Sequence, residues 1–125
     1  MIVADADVLI DYLRGIPGET TERIELEIGR RSLATASVCS YQLWAGARRR
    51  EERAVVSGLL AVLRVLPFDA KAAERAGAAY RELAGEGKVI GRADLYLAGV
   101  CLAERLPLLT RNRGEFARVR GLRLA

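Results

Sequence analysis

An apolar run that stops on an acid opens the chain. Ile2-Val3-Ala4-Asp5 is followed by a second carboxylate at Asp7 and then by Val8-Leu9-Ile10-Asp11. The run reads as a short buried strand over residues 2–5 that hands over to a helix. A carboxylate at the end of a buried strand is costly unless something stabilises it. A bound cation does so most simply, so the run points to a metal site.

The same alternation continues along the chain. A helix is predicted from about Asp7 to Leu13, ending before Gly15 and Pro17. Thr20-Thr21-Glu22 offers an N-cap and an acid for the first turn of the next helix, which runs to Gly29. Ser32 to Ala36 reads as a strand, Ser37 to Ala47 as a helix, and Arg48-Arg49-Arg50 as the opening of another. That helix carries a stripe of Val55, Val56, Leu59, Leu60 and Leu63. Val65 to Phe68 is an extended segment, and Asp69 is placed to cap an alanine-rich helix ending at Gly85 or Gly87. A helix over 91–105 carries Asp94 in its first turn; Leu108 to Thr110 is a strand and Leu122 to Leu124 a last one. Short strands alternating with helices predict a three-layer α/β/α sandwich around a mostly parallel central sheet. The 125 residues form one expected domain, 1–125. In such sheets ligands gather at the carboxyl ends of the strands, where Asp5 and the segment after Thr110 both fall.

Composition narrows the chemistry. The chain has no histidine, which removes Ser-His-Asp and Cys-His nucleophile schemes and the usual zinc sites. Cys39 and Cys101 lie in apolar helix-like stretches and read as reduced, buried small side chains. What remains for catalysis is carboxylates, amides, hydroxyls and cations, and hard oxygen ligands select Mg²⁺ or Mn²⁺. A net charge of +4 and a pI near 9.5, carried by arginine, favour a polyanionic partner. No apolar run is long enough for a membrane span and no signal peptide opens the chain, so a cytoplasmic location is expected.

The candidate acids are Asp5, Asp94 and Glu115, with Asp7, Gln42 and Asn112 as polar neighbours. Only a fold can join residues so far apart. Two bare carboxylates about 4 Å apart repel by roughly 4 kcal/mol at an effective dielectric near 20. A divalent ion reverses that sign, polarises a phosphoryl oxygen and acidifies a bound water, which is what phosphodiester hydrolysis needs. Asp7 and Asp69 also read as helix caps, Asp94 as an acid complementing a helix dipole, and Asp11 as an exposed or capping residue.

Four segments, in order, resemble the PIN-domain family, and most closely its small VapC-type toxins. They are Asp5-Ala6-Asp7-Val8-Leu9-Ile10-Asp11, Tyr41-Gln42-Leu43-Trp44-Ala45-Gly46, Asp94-Leu95-Tyr96-Leu97-Ala98 and Leu108-Leu109-Thr110-Arg111-Asn112-Arg113-Gly114-Glu115-Phe116. The resemblance covers essentially the whole chain. It implies a PIN fold, Mg²⁺- or Mn²⁺-dependent endoribonuclease activity, a homodimer, and a cognate antitoxin whose tail occupies the active-site groove. Carried onto this sequence, it makes Asp5, Asp94 and Glu115 metal ligands, with Asn112 and Gln42 beside them in the catalytic set. Asp7, Thr110, Arg111 and Arg113 become candidates for substrate contact. One position departs from the family: Gln42 stands where a metal-site glutamate is usual. Glutamine keeps an oxygen but is neutral and cannot act as a base. The departure leaves a second reading, a catalytically weakened PIN module that binds RNA or an antitoxin in a regulatory role.

The arginines form two groups. Arg48, Arg49, Arg50 and Arg53 sit beside Glu51 and Glu52 and read as a solvated helix face. Arg111, Arg113, Arg118, Arg120 and Arg123 flank the presumed catalytic segment and are expected to contact RNA backbone near the site.

Overall fold

The computed structural model describes all residues from Met1 to Ala125. The elements in order are β1 (Ile2–Ala4), α1 (Ala6–Leu13), α2 (Glu19–Gly29), β2 (Leu33–Ala36), α3 (Ser37–Gly46), α4 (Arg50–Ala61), β3 (Arg64–Leu66), α5 (Ala70–Gly85), α6 (Arg92–Glu104), β4 (Leu108–Leu109) and α7 (Arg113–Phe116). The four strands form one sheet in the order β3-β2-β1-β4, with every pairing parallel. The predicted last strand is reduced to a single bridge between Leu124 and Leu108.

Strand alternation divides the interior into two layers. Val3, Ala34, Ala36 and Leu108 point into a core shared with α5 and α6, filled by Leu83, Leu97, Val100 and Phe116. Ile2, Leu33 and Leu109 point the other way, onto Val8, Leu9, Ile24, Val56 and Leu59 of α1, α2 and α4. Helix α3 gives Cys39 to the first core and Leu43 to the second, so it closes the end of the sandwich. Gly99 sets the closeness of α5 and α6. A Cβ there would stand 2.4 Å from the Ala72 carbonyl oxygen and 2.8 Å from the Ala76 Cβ.

Several caps differ from the sequence reading. Asp5, rather than Asp7, is the N-cap of α1 and accepts from the Ala6 amide. Helix α2 starts behind Gly18, at φ 145°, and the Thr21 hydroxyl donates backward to the Ile16 carbonyl. Helix α4 begins at Arg50, with Arg49 as its cap bonded to Glu52. Asp69 caps α5 as expected, accepting from the Ala72 amide at 3.0 Å.

The chain adds β2 and β3 on one side of β1, then crosses to place β4 on the other. Successive connections therefore leave the sheet in opposite directions at the carboxyl ends of β1 and β4, and a crevice opens there.

Candidate active site

Asp5 and Thr110 are the residues that follow β1 and β4, so each lands on one lip of that crevice. The Thr110 hydroxyl donates to Asp5 Oδ2 at 2.7 Å, with the Asp7 carboxylate next nearest at 3.4 Å. Asp5 Oδ1 accepts from the Ala6 amide at 2.7 Å and lies 3.9 Å from the Cys39 thiol. The Asp5 carboxyl is pushed up to about 6, by burial first and the neighbouring Asp7 charge second, against the Thr110 and Ala6 hydrogen bonds. Burial, then the Asp5 charge, pushes the Cys39 thiol up to about 12, so it stays protonated.

Asp7, in the first turn of α1, accepts the Arg111 backbone amide on Oδ2 at 3.1 Å. Its Oδ1 is buried and has no hydrogen-bond partner. Asp11 lies one turn further along the same helix face. It is neither exposed nor a cap: its Oδ2 holds the Arg111 Nε at 3.3 Å, and the Asp7 carboxylate lies 3.9 Å from the same nitrogen.

Asp94 arrives from the other core, in the first turn of α6. Burial and the charges of Glu115 and Asp7 hold its carboxyl above the ordinary value. Asn112 links the two halves. Its backbone amide donates to Thr110 Oγ1 at 3.0 Å, and its side-chain amide donates to Glu115 Oε2 at 2.9 Å and toward Asp94 Oδ2 at 3.5 Å.

Seven of the predicted residues thus share one network: Asp5, Asp7, Asp94, Thr110, Arg111, Asn112 and Glu115. Two do not join it. Gln42 lies on α3 in a different cleft, with Ile10, Leu13 and Arg14, and makes no hydrogen bond to the acids. Arg113 donates to the Ala125 carbonyl at 2.8 Å. The sequence reading missed Asp11, although its spacing of four from Asp7 was a usable signal.

The donor set fits a hard divalent cation. It consists of carboxylate oxygens, carries mutually repelling charge, and leaves a buried carboxylate oxygen of Asp7 without a partner. No three of the acids form a ready-made cage. The Asn112 amide instead takes up part of the charge of Asp94 and Glu115.

This architecture defines a class. A PIN domain model matches residues 2–122, and the chain belongs to the PIN-domain family. Over 123 residues it is 34% identical to the tRNA(fMet)-specific endonuclease VapC of Shigella flexneri, covering 95% of this chain and 92% of that protein. It is 32% identical to ribonuclease VapC2 of Haemophilus influenzae, with the same 95% and 92% covered. The fold superposes on VapC-type chains in crystal structures. DNA-bound VapBC from Salmonella typhimurium gives a TM-score of 0.89 at 29% identity, covering 100% of this chain and 98% of that one. Its relatives place it among the VapC-type toxin ribonucleases of that family.

Proposed function

We propose that this protein is an endoribonuclease that hydrolyses RNA phosphodiester bonds in the crevice between Asp5 and Asp94, with Mg²⁺ or Mn²⁺ as cofactor. A cognate antitoxin restrains it in the cytoplasm. The observation that carries the reading is the acid cluster. Charges drawn from the residue after β1 and from α1, α6 and α7 are held together with one buried oxygen unpartnered.

Asp5, Asp94 and Glu115 are the residues that would hold the ion. When bound, it would neutralise these acids and supply a Lewis acid for a phosphoryl oxygen. The chain's own groups do the positioning. Thr110 orients Asp5, and Asn112 orients Asp94 and Glu115. Asp11 holds the Arg111 guanidinium beside the acids, where it pairs with a phosphate oxygen of the substrate. Exposed Tyr41 and Trp44 on α3 offer apolar surface to the antitoxin and to a second copy in a homodimer.

The test is cleavage of a broad RNA pool by purified, partner-free protein. We expect cutting with Mn²⁺, loss with EDTA, and no cutting by Asp94→Asn. RNA bound but left uncut by the wild type would favour the regulatory module.

A further inference from the structure

Arg118, Arg120 and Arg123, expected beside the acids, lie elsewhere. After α7 the chain turns at Gly121, at φ 84°, and returns to β4, where the Leu108 amide donates to the Arg123 carbonyl. The cluster therefore lands near the amino end of β4 and the carboxyl end of α6, away from the acidic crevice. About 16 Å of helix rise separates Asp94 from Arg105 along α6.

There the three arginines join Arg75 and Arg105 around a cavity of about 570 Å³. Glu82 is the one acid on its wall, and it pairs with Arg120 at 3.0 Å. None of the other four arginines has a carboxylate partner. Five of the chain's twenty cations and one of its sixteen acids line the cavity, so this cleft alone accounts for the whole net charge of +4. The floor is apolar, with Leu83, Leu102 and Leu106.

We infer that this cleft is a second RNA-backbone site, which binds phosphates of the substrate at a distance from the bond that is cut. Four guanidinium forks without a carboxylate partner, of which Arg123 also donates to the Arg105 carbonyl at 2.8 Å, surround a nucleotide-sized hollow and suit phosphate, and the apolar floor suits a sugar or base edge. The inference rests on the ribonuclease reading and deepens it: the preferred substrate is a structured RNA large enough to reach both ends of the sheet.

The experiment measures binding of bulk tRNA in EDTA, as a function of salt, by wild type, Arg75→Gln/Arg118→Gln and Arg75→Lys/Arg118→Lys. Cleavage of a short oligoribonucleotide with Mn²⁺ is followed in parallel. Losing two phosphate contacts lowers the slope of log K against log salt by about 1.4 to 1.8. We expect that drop in the glutamine variant, the slope retained in the lysine variant, and short-oligonucleotide cleavage unchanged in both. An unchanged slope in a wild type that binds and cuts RNA overturns the cleft alone. A wild type that neither binds nor cuts RNA overturns both readings. If the glutamine variant loses binding of a poly-glutamate peptide while tRNA binding stays intact, the cleft belongs to an acidic polypeptide and the inference fails.

Discussion

The Thr110 hydroxyl donates to the Asp5 carboxylate at 2.7 Å, joining residues 105 positions apart at the carboxyl ends of the paired strands β1 and β4. Asp5 is nearly buried, so it depends on that proton. Thr110→Val keeps the shape and removes the donor. A hydrogen bond to a charged group is worth about 1.5 to 3 kcal/mol, and urea unfolding at pH 7 is expected to show a loss in that range. A loss below about 0.5 kcal/mol would mean that water replaces the hydroxyl without penalty.

The raised Asp5 carboxyl fixes a pH dependence. Its folded value, about 6, lies above the ordinary 3.8, so the folded protein binds this proton more tightly than the unfolded chain does. Stability of the metal-free protein is therefore full below pH 3.8 as far as this group is concerned, and falls as the pH rises to about 6. The shift corresponds to about 3 kcal/mol. In EDTA, Asp5→Asn is expected to flatten that decline and to be more stable than wild type at pH 7. Denaturant midpoints across pH 4 to 7 check it; parallel curves for the two proteins would refute it.

Arg111 is an internal cation beside the acids, tied to Asp11 but largely exposed. Arg111→Gln should cost less than about 1 kcal/mol of stability, as exposed ion pairs do. It should also tighten Mn²⁺ binding at low salt, because a competing charge has gone. Calorimetric titration measures both the affinity and its salt dependence, and weaker Mn²⁺ binding would show that Arg111 supports the ion.

Asp7 carries a buried carboxylate oxygen without a partner, whereas Gln42 lies on α3 in a different cleft. The unpartnered Oδ1 of Asp7 is the buried oxygen of the cluster that gains most from a bound cation. Asp7→Asn is expected to weaken Mn²⁺ binding by about 10-fold or more, and Gln42→Glu, in its separate cleft, to leave it unchanged. Unchanged affinity in Asp7→Asn would show that this oxygen takes no part in holding the ion.

Gly99 supports the site from a distance by letting α6, which carries Asp94, lie against α5. Added at this position, a methyl meets backbone atoms of Ala72 and Ala76, which cannot swing aside. Gly99→Ala should lose about 3 kcal/mol, the upper end for overpacking, or fail to fold. Urea midpoints decide, and a neutral result would show that the two helices can separate freely.

Much of this was legible in the sequence because the signals were local. The apolar run before Asp5 marked a buried strand, and Asp69 before an alanine-rich stretch marked a cap. Asp94, Asn112 and Glu115 were found by motif, and the parallel sheet gathers them. What escaped depended on the return path of the chain. Arg118 to Arg123 adjoin α7 in sequence, but the turn at Gly121 carries them toward the opposite end of the sheet. The ties from Asp7 and Asp11 to Arg111 cross about a hundred residues and leave no periodicity to read. Gln42 matched the motif, yet its helix turns it into a different cleft.

The most direct measurement is anomalous diffraction from crystals soaked in Mn²⁺. The account predicts one strong peak within about 2.0 to 2.6 Å of carboxylate oxygens of both Asp5 and Asp94. A peak elsewhere, or the same peak retained in Asp5→Asn, would contradict it.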